Sequence, residues 1–419
     1  MTAAPQLLPQ GRLPAWTAAL SEARWLGEKR IVAYSRIIVV INVLAIVAML
    51  ALSPHFIDPT GKPVGTDFLG FWSAGQMALE GHAEDAYDYD REFDRQKLAL
   101  PGSAFGKSEF FPWHYPPIFF NVVALLALLP YGAALGVWVL LSVPIYLAAI
   151  RGILPGRNAM MAALAFPAVL SNLAHGQNGF VTAGLMGGAL LLLERRPWLS
   201  GVLFGLLAYK PQFAAIIPLA LLVGGCWRTI LSAGLTLAGT IATSWVIWGG
   251  AAWRAFFASL PVTRTYELEQ GPAGWQKIQS VFSAVRMFGG GIGLAYGVQA
   301  VFAMMAVAAL VWIWRKPVGV ALKGSALATV ALMVTPYVLD YDLIVLALPI
   351  AWLAGIGLRE GFLPWEKIAL LAVWLLPLLS RAMGSYLHFP PAPFAMALLL
   401  VIIFRRTARV QVRQGSVTA

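Results

Sequence analysis

The chain has 419 residues, of which 59% are apolar and 12% are charged. A soluble domain normally carries about 25% charged residues, so this composition excludes an ordinary soluble protein and favours lipid as the solvent. The net charge of +11 could suggest nucleic-acid binding. The basic residues, however, recur singly or in pairs between apolar stretches, as in membrane proteins, and no nucleic-acid partner is expected. The only cysteine, Cys226, excludes an intrachain disulfide and a cysteine-based metal site.

The first apolar run extends from about Ile31 to Leu52 and follows a polar segment. A helix needs about 20 residues to cross a bilayer, and this run is too long for a typical signal-peptide core. We therefore predict an uncleaved first span within an all-α polytopic membrane protein. The apolar segments that predict about 12 spans lie near 31–52, 134–150, 158–174, 178–193, 198–209, 211–226, 228–249, 292–314, 319–338, 341–358, 366–387 and 391–404.

The connections between these segments alternate in character along the chain. Basic connections contain, for example, Arg151 with Arg157 and Arg195 with Arg196. The positive-inside rule places such connections, and both termini, in the cytoplasm. The predicted organisation is a cytoplasmic N-terminal segment over 1–30, a transmembrane catalytic domain over 31–404 and a cytoplasmic tail over 405–419. The protein would be a multi-pass protein of the cytoplasmic membrane, with its site facing the periplasm or exterior.

The first outer loop, residues 53–130, is the largest predicted soluble part. Its stretch 53–115 holds ten acidic and five basic residues, in contrast to the basic inner connections. An apolar stripe at helical spacing predicts an interfacial helix packed on the membrane domain. The stripe consists of Phe68, Leu69, Phe71, Trp72 and Ala78. The stretch 116–130 predicts a second interfacial helix, because it is bounded by prolines and alternation leaves room for only one span before Arg151.

Two acidic positions lie where outer connections meet predicted helices. Asp67 begins the striped helix and could act as a general base toward an acceptor hydroxyl, or serve as a helix N-cap. Asp342 lies in Asp340-Tyr-Asp342 at the start of the tenth predicted span. Acidic residues at membrane depth are usually functional, although here they could also cap the helix.

Three further outer segments carry polar side chains. Lys210 precedes Pro211-Gln212, and it could pair with a lipid phosphate beside a helix N-terminus or simply snorkel. His175, Gln177 and Asn178 form a turn with more hydrogen-bonding capacity than a turn requires, which suggests sugar or phosphate binding. Tyr115 belongs to a segment typical of an aromatic belt. Arg264, Arg286 and Arg381 are outer-side cations that could bind phosphate or snorkel.

The Asp-Tyr-Asp pattern occurs at 88–90 and again at 340–342. It is similar to the metal clamp of enzymes that use nucleotide sugars. Both copies face outward on the predicted topology, where nucleotide sugars are normally absent. We therefore predict no metal site and no cofactor.

Taken together, these segments resemble glycosyltransferase family 87, a group of GT-C-type membrane enzymes. The resemblance runs in order through Asp67 to Tyr87, Tyr115-Pro-Pro117, Gly176-Gln-Asn178, Gly205 to Gln212, and Pro336-Tyr337 with Tyr341-Asp342. It implies a GT-C-type fold and transfer of a sugar, often mannose, from a polyprenyl-phosphate donor to a hydroxyl of a lipid or glycan, with inversion.

The resemblance also implies roles for particular residues. Asp67 occupies the place of the expected base. The resemblance also favours Lys210 and Gln177 as substrate-binding residues. Some relatives carry a histidine in the segment that corresponds to Tyr341-Asp342, which this chain lacks. A transporter or flippase of a lipid-linked sugar is the main alternative, because it would bind the same donor. A scaffold protein is the second, although polar residues that gather on one side favour a single site.

Overall fold

The computed structural model describes residues 15–271 and 274–417. It is 78% helical. Within those ranges the only β-type pairings are two isolated bridges, Ile57 with Pro63 and Ile278 with Leu339. The prediction of an all-α protein is confirmed. Predictions that fall on residues 1–14, 272–273 and 418–419 lie outside the described residues.

The α-helices in the described part of the chain are numbered in order. They are α1 (Ala15–Glu22), α2 (Glu28–Ala51), α3 (Thr66–Leu79), α4 (Tyr89–Ala99), α5 (Phe120–Ala127), α6 (Tyr131–Ile153), α7 (Arg157–Leu164), α8 (Pro167–His175), α9 (Gly179–Leu192), α10 (Pro197–Leu206), α11 (Pro211–Ala214), α12 (Ile217–Val223), α13 (Trp227–Thr263), α14 (Val281–Met287), α15 (Ile292–Trp314), α16 (Val320–Met333), α17 (Ala347–Glu360), α18 (Glu366–Leu387) and α19 (Ala392–Val417). Short 3₁₀ turns cover Pro54–Phe56, Ala83–Tyr87, Pro117–Phe119, Leu207–Tyr209, Trp275–Lys277 and Asp340–Leu346, and a π-helical segment covers Arg264–Gln270.

Each predicted apolar segment falls on one or two of these helices, and 6 helical stretches are long and apolar enough to cross a membrane. The six are Glu28–Ala51, Tyr131–Ile153, Trp227–Gln270, Ile292–Trp314, Asp340–Glu360 and Glu366–Leu387. The prediction of a polytopic membrane protein is confirmed. The number of about 12 spans stays a prediction, because the other segments form shorter helices or, in α19, a helix with a basic end.

The apolar surface of the outermost helices explains why this protein belongs in lipid. On α2, Val40, Leu44 and Val47 are 57%, 62% and 57% exposed. Exposure of such a continuous apolar face to water costs free energy, whereas its exposure to the hydrocarbon of a bilayer does not. Trp245, Val246 and other large apolar residues of the long helices are exposed in the same way.

The interior helices pack closely through small residues. A Cβ placed on Gly187 of α9 would lie 2.9 Å from the Cβ of Ala149 and 2.8 Å from Leu348 Cδ2. Small residues at such positions let the backbones of α6, α9 and α17 approach one another. Helix α9, most of whose residues are buried, therefore lies in the interior of the bundle.

The first outer loop folds onto this bundle. Phe68, Leu69, Phe71 and Ala78 of α3 are buried, so the predicted apolar stripe is confirmed as the packing face of a helix. The segment after Pro116 forms a 3₁₀ turn and α5, whose Leu125 is 67% exposed. Such a short apolar helix before α6 agrees with the predicted interfacial helix, whose membrane position stays a prediction.

Helices extend into both predicted terminal segments, whose cytoplasmic position stays a prediction. The polar N-terminal segment contains a helix, α1, which is held to α18 by a hydrogen bond of 2.7 Å from Trp365 N–H to the carbonyl of Ser21. The predicted boundary at 405 falls inside α19, which continues to Val417. Nothing in that stretch breaks a helix, and Arg406 is anchored by two hydrogen bonds to the carboxylate of Glu366.

Candidate active site

The start of α3 lies against the turn that follows α8. Gly65 N–H donates to the carbonyl of Ala174 at 3.2 Å, and Trp138 Nε1 donates to the carbonyl of Gly176 at 3.0 Å. Gly176 has a φ of +61°, and a Cβ there would lie 2.6 Å from the Cβ of Phe68. Glycine alone meets both demands, the left-handed backbone and the close approach.

Asp67 is the second residue of α3 and is half-buried. Its Oδ2 accepts a hydrogen bond of 2.7 Å from Gln177 Nε2, whereas its Oδ1 has only a long contact of 3.4 Å with Thr66 Oγ1. The residue at the N-cap of α3 is Gly65, and no side chain caps this helix end. The capping interpretation of Asp67 is therefore wrong, and the second oxygen of its carboxylate is free to accept a proton.

Lys210 and Asp342 form a buried ion pair. The two atoms, Lys210 Nζ and Asp342 Oδ1, lie 2.7 Å apart, and the side chains are 2% and 3% exposed. The other oxygen of Asp342 accepts a hydrogen bond of 3.0 Å from Leu339 N–H, so the capping interpretation of this residue is confirmed. Lys210 thus has a fixed partner, and its predicted contact with a lipid phosphate stays untested.

The turn at 175–178 is tied to the same connection through Asn172, which sequence reasoning missed. Asn172 Nδ2 donates to the carbonyl of Tyr341 at 2.8 Å, and its Oδ1 accepts from Gly179 N–H at 3.0 Å. His175 is half-buried, with Nδ1 2.8 Å from the carbonyl of Ser171 and its ring 6.2 Å from that of Tyr341. An asparagine inside an apolar helix was the signal that could have found this bridge.

Tyr115 and Asn178 border the pair on its aromatic side. The ring of Tyr115 stacks at 6.2 Å on that of Tyr209, whose hydroxyl donates to the carbonyl of Asn178 at 3.2 Å. Burial raises the pKa of Tyr115, and the charge of Asp342 raises it further. Tyr115 therefore stays protonated, as a hydrogen-bonding group close to Asp342.

One predicted residue, Gln212, and the first Asp-Tyr-Asp copy lie apart from this network. Gln212, which follows the buried Lys210 by two residues, is partly exposed and takes no part in these hydrogen bonds. Asp88 of the first Asp-Tyr-Asp copy caps α4, since its Oδ1 accepts from Asp90 N–H at 3.0 Å and from Arg91 N–H at 3.1 Å. The first copy has a structural role.

Arg381 pairs with Asp340, and Lys277 lies in a turn joined to the segment before Asp340. Arg381 Nε, one of the predicted outer-side cations, lies 3.0 Å from Asp340 Oδ2. Lys277, which sequence reasoning missed, is half-buried and makes no direct ion pair within the described part of the chain. Burial lowers the pKa of Lys277, and so does the charge of Arg381, while Asp67 and Asp340 oppose this. Lys277 is therefore within electrostatic range of both acids, without a direct contact to either among the described residues.

The turn that carries Lys277 is held in place from two sides. A Cβ on Gly384 of α18 would lie 2.9 Å from the Cβ of Gln276, so the helix that bears Arg381 packs directly on the turn. Gln279 N–H donates to the carbonyl of Val338 at 2.6 Å, which joins the turn to the segment before Asp340. The sequence did not indicate a functional role for Lys277, because a single lysine in a loop does not show which residues lie near it in the fold.

A family model for glycosyltransferase family 87 matches residues 113–336, just over half of the 419 residues. This chain belongs to glycosyltransferase family 87. The match includes Tyr115, the turn at 175–178 and Lys210, whereas Asp67 and Asp342 lie outside it. No curated protein and no solved structure matches the chain.

Family 87 membership makes the protein a membrane glycosyltransferase. Sugar transfer is therefore favoured over the transporter and scaffold alternatives. Among the described residues, the site in this family 87 chain combines a carboxylate with one oxygen in only a long contact, a second acid paired with arginine, and a lysine without an ion pair. Such a set can accept a proton on one side and stabilise a departing anion on the other.

Proposed function

We propose that the protein transfers a hexose, with mannose as the first candidate, from a polyprenyl phosphate to a hydroxyl of a lipid or glycan acceptor. The reaction inverts the anomeric centre and takes place at the outer face of the cytoplasmic membrane. The observation that carries the proposal is the position of Asp67, whose Oδ2 is held by Gln177 while Oδ1 has only one long contact.

Asp67 is the proposed general base. A base must have a fixed position and an oxygen that is free to take the proton. The 2.7 Å hydrogen bond from Gln177 occupies Oδ2, and the 3.4 Å contact with Thr66 leaves Oδ1 available. Because Asp67 is only partly buried, an acceptor would be able to approach it.

Lys277 and Arg381 are the proposed partners of the donor phosphate. A phosphate that leaves with an additional negative charge is stabilised by cations already in position. Lys277 has no ion pair among the described residues, and Arg381 is 42% exposed with one contact to Asp340. Lys210 is a weaker candidate because Asp342 already neutralises it. We assign the Lys210–Asp342 pair to positioning the two connections around the site.

The proposed step is a single displacement. The acceptor oxygen forms a bond to the anomeric carbon as its proton moves to Asp67. The bond from that carbon to the phosphate oxygen breaks, and its electron pair leaves with the phosphate. Attack opposite the leaving group inverts the centre and requires one base and no second nucleophilic carboxylate.

The remaining predicted residues would surround the sugar and the acceptor. His175, Asn178 and Tyr115 lie around the ion pair of Lys210 with Asp342 and offer hydrogen-bonding groups beside aromatic rings. Gln212 lies outside the network, and the proposal gives it no direct role. Membrane lipids would form the medium through which the prenyl chain enters.

The experiment that tests the proposal supplies the purified full chain with polyprenyl-phosphate mannose and the membrane lipids of the host. New glycolipids are then sought by mass spectrometry. Products that contain one added hexose, and that are absent with a nucleotide sugar or with Asp67→Asn, support the proposal. If a nucleotide sugar alone yields the same products, the proposed donor is wrong.

A further inference from the structure

A cavity of about 180 Å³ lies at the opposite end of α17 from Asp342, between the ends of α16, α17 and α19. It is lined by Gly319, Ala321, Leu322, Ile356, Arg359, Glu360, Arg406, Arg409 and Val410. No residue of the candidate active site borders it. The length of α17, at 1.5 Å per residue, separates the two regions by about 20 Å.

The charged groups of the cavity favour an anion. Arg359 and Arg409 are exposed, and neither makes an ion pair or side-chain hydrogen bond with a residue in 15–271 or 274–417. Arg406 is buried, and its charge is balanced by the carboxylate of Glu366 through Nε at 2.8 Å. Glu360 is the one acid in the lining, so two available guanidinium groups face a single carboxylate.

The backbone at the cavity adds to this preference. Helix α16 begins after Gly319, and no side chain caps it. The first N–H groups of a helix have no partner within the helix, and together with the helix dipole they attract anions. Because Gly319 and Ala321 line the cavity, this helix end and the arginines border the same space.

The apolar part of the lining distinguishes a lipid from a free anion. Leu322, Ile356 and Val410 form one wall. On the same two helices that carry Ile356 and Val410, Leu358 is 66% exposed and Val401 is 53% exposed. A headgroup in the cavity could therefore continue into acyl chains along apolar surface that is already exposed.

We propose that this cavity binds the phosphodiester headgroup of an anionic phospholipid, in the leaflet at the face that carries the basic connections. Basic pockets between membrane helices at that face bind such headgroups in other proteins. The two guanidinium groups would hold the phosphate through charge-assisted hydrogen bonds, and the apolar wall would contact the first part of the acyl chains.

The test measures phospholipid binding to the full chain in detergent by native mass spectrometry. Phosphatidylglycerol and phosphatidylcholine are titrated separately, with inorganic phosphate as the competitor. We expect phosphatidylglycerol to bind more tightly than phosphatidylcholine. The double variant Arg359→Gln/Arg409→Gln should weaken phosphatidylglycerol binding by about tenfold or more, because it removes two charge-assisted hydrogen bonds.

Arg195→Gln is the matched control. Arg195 is an exposed cation after α9, in a basic connection that contributes no residue to the cavity. Its variant should bind phosphatidylglycerol as the unaltered protein does, and both variants should keep the same melting temperature. Equal binding by the double variant, equal affinity for the two lipids, or complete displacement by inorganic phosphate at the concentration of the lipid would overturn the proposal.

Discussion

Lys210 Nζ lies 2.7 Å from Asp342 Oδ1, and 132 residues separate these two buried side chains in the chain. Each residue makes the burial of the other tolerable, because an unpaired charge in a low-dielectric interior is strongly penalised. The pair holds the connection before α11 to the one before α17. Its first consequence is for stability.

We predict that Lys210→Ala destabilises the protein by about 3–5 kcal/mol, because it leaves the carboxylate of Asp342 buried without its partner. The double variant Lys210→Ala/Asp342→Ala should lose less than the sum of the two single variants. Melting temperatures in detergent measure this coupling. If Lys210→Ala instead melts normally and only its KM for the donor rises, Lys210 binds the phosphate as the sequence suggested.

We predict that Asp67→Asn lowers kcat by about 10²–10⁴-fold, the usual contribution of a general base. Asparagine retains an oxygen that can accept the hydrogen bond from Gln177 but cannot take up a proton. The melting temperature and the KM for the donor should stay unchanged. Turnover measured with purified variants checks this.

Asp88→Asn is the control for Asp67→Asn. Asp88 lies in the same outer loop and caps α4, and asparagine caps a helix about as well as aspartate. This variant should remain active and stable. Near-normal turnover by Asp67→Asn would move the base elsewhere; Asp340 would then be the first candidate, because both oxygens of Asp342 are already occupied.

We predict that Lys277→Gln and Arg381→Gln each raise the KM for the phosphate-linked donor by about tenfold, since each removes a charge-assisted hydrogen bond. Lys107→Gln, which removes an exposed lysine 2.5 Å from Asp90, should have no effect. An unchanged KM in both site variants would assign the phosphate to other residues.

We also predict that the affinity for the donor depends on pH through Lys277. Burial lowers its pKa from the ordinary lysine value, so the ammonium loses its proton at a lower pH than an exposed lysine does. Donor affinity should therefore fall as the pH rises through that lowered pKa. The KM for the donor, measured from neutral to alkaline pH, should lose this step in Lys277→Gln.

We predict that Glu92 makes the stability of the folded protein decrease as the pH rises. Burial raises its pKa well above the usual glutamate range, although hydrogen bonds from Trp113 N–H and Gln96 lower it. An acid whose pKa is raised by folding stabilises the protein at pH below its unfolded pKa, and that stability is lost as the pH rises toward the folded pKa. Glu92→Gln should flatten the dependence, measured as melting temperature against pH. A parallel dependence in both proteins would contradict this assignment.

We predict that a tag on either terminus is cytoplasmic and that a tag inserted near Lys107 is external. The alternation of basic connections along the sequence is the reason. Membrane-impermeant labelling of intact cells measures the sidedness. A cytoplasmic tag at Lys107 would contradict both the topology and the outer position of the site.

The sequence predicted the apolar helices and the basic connections between them. A segment in lipid must satisfy its backbone polar groups internally, and a helix does this within one segment. The stripe of Phe68, Leu69 and Phe71 likewise predicted the buried face of α3. The sequence did not predict the continuation of α19 past Arg405, because charge marks the end of the hydrocarbon and not the end of a helix.

By itself the sequence determined the class of protein, the outer segments that carry polar residues, and Asp67 as a candidate base. Only the tertiary structure decided which of those residues are neighbours. It joined Asp67 to Gln177, paired Lys210 with Asp342, and paired Arg381 with Asp340. Such pairings depend on how helices far apart in the chain pack, and hydropathy and spacing describe each helix only one at a time.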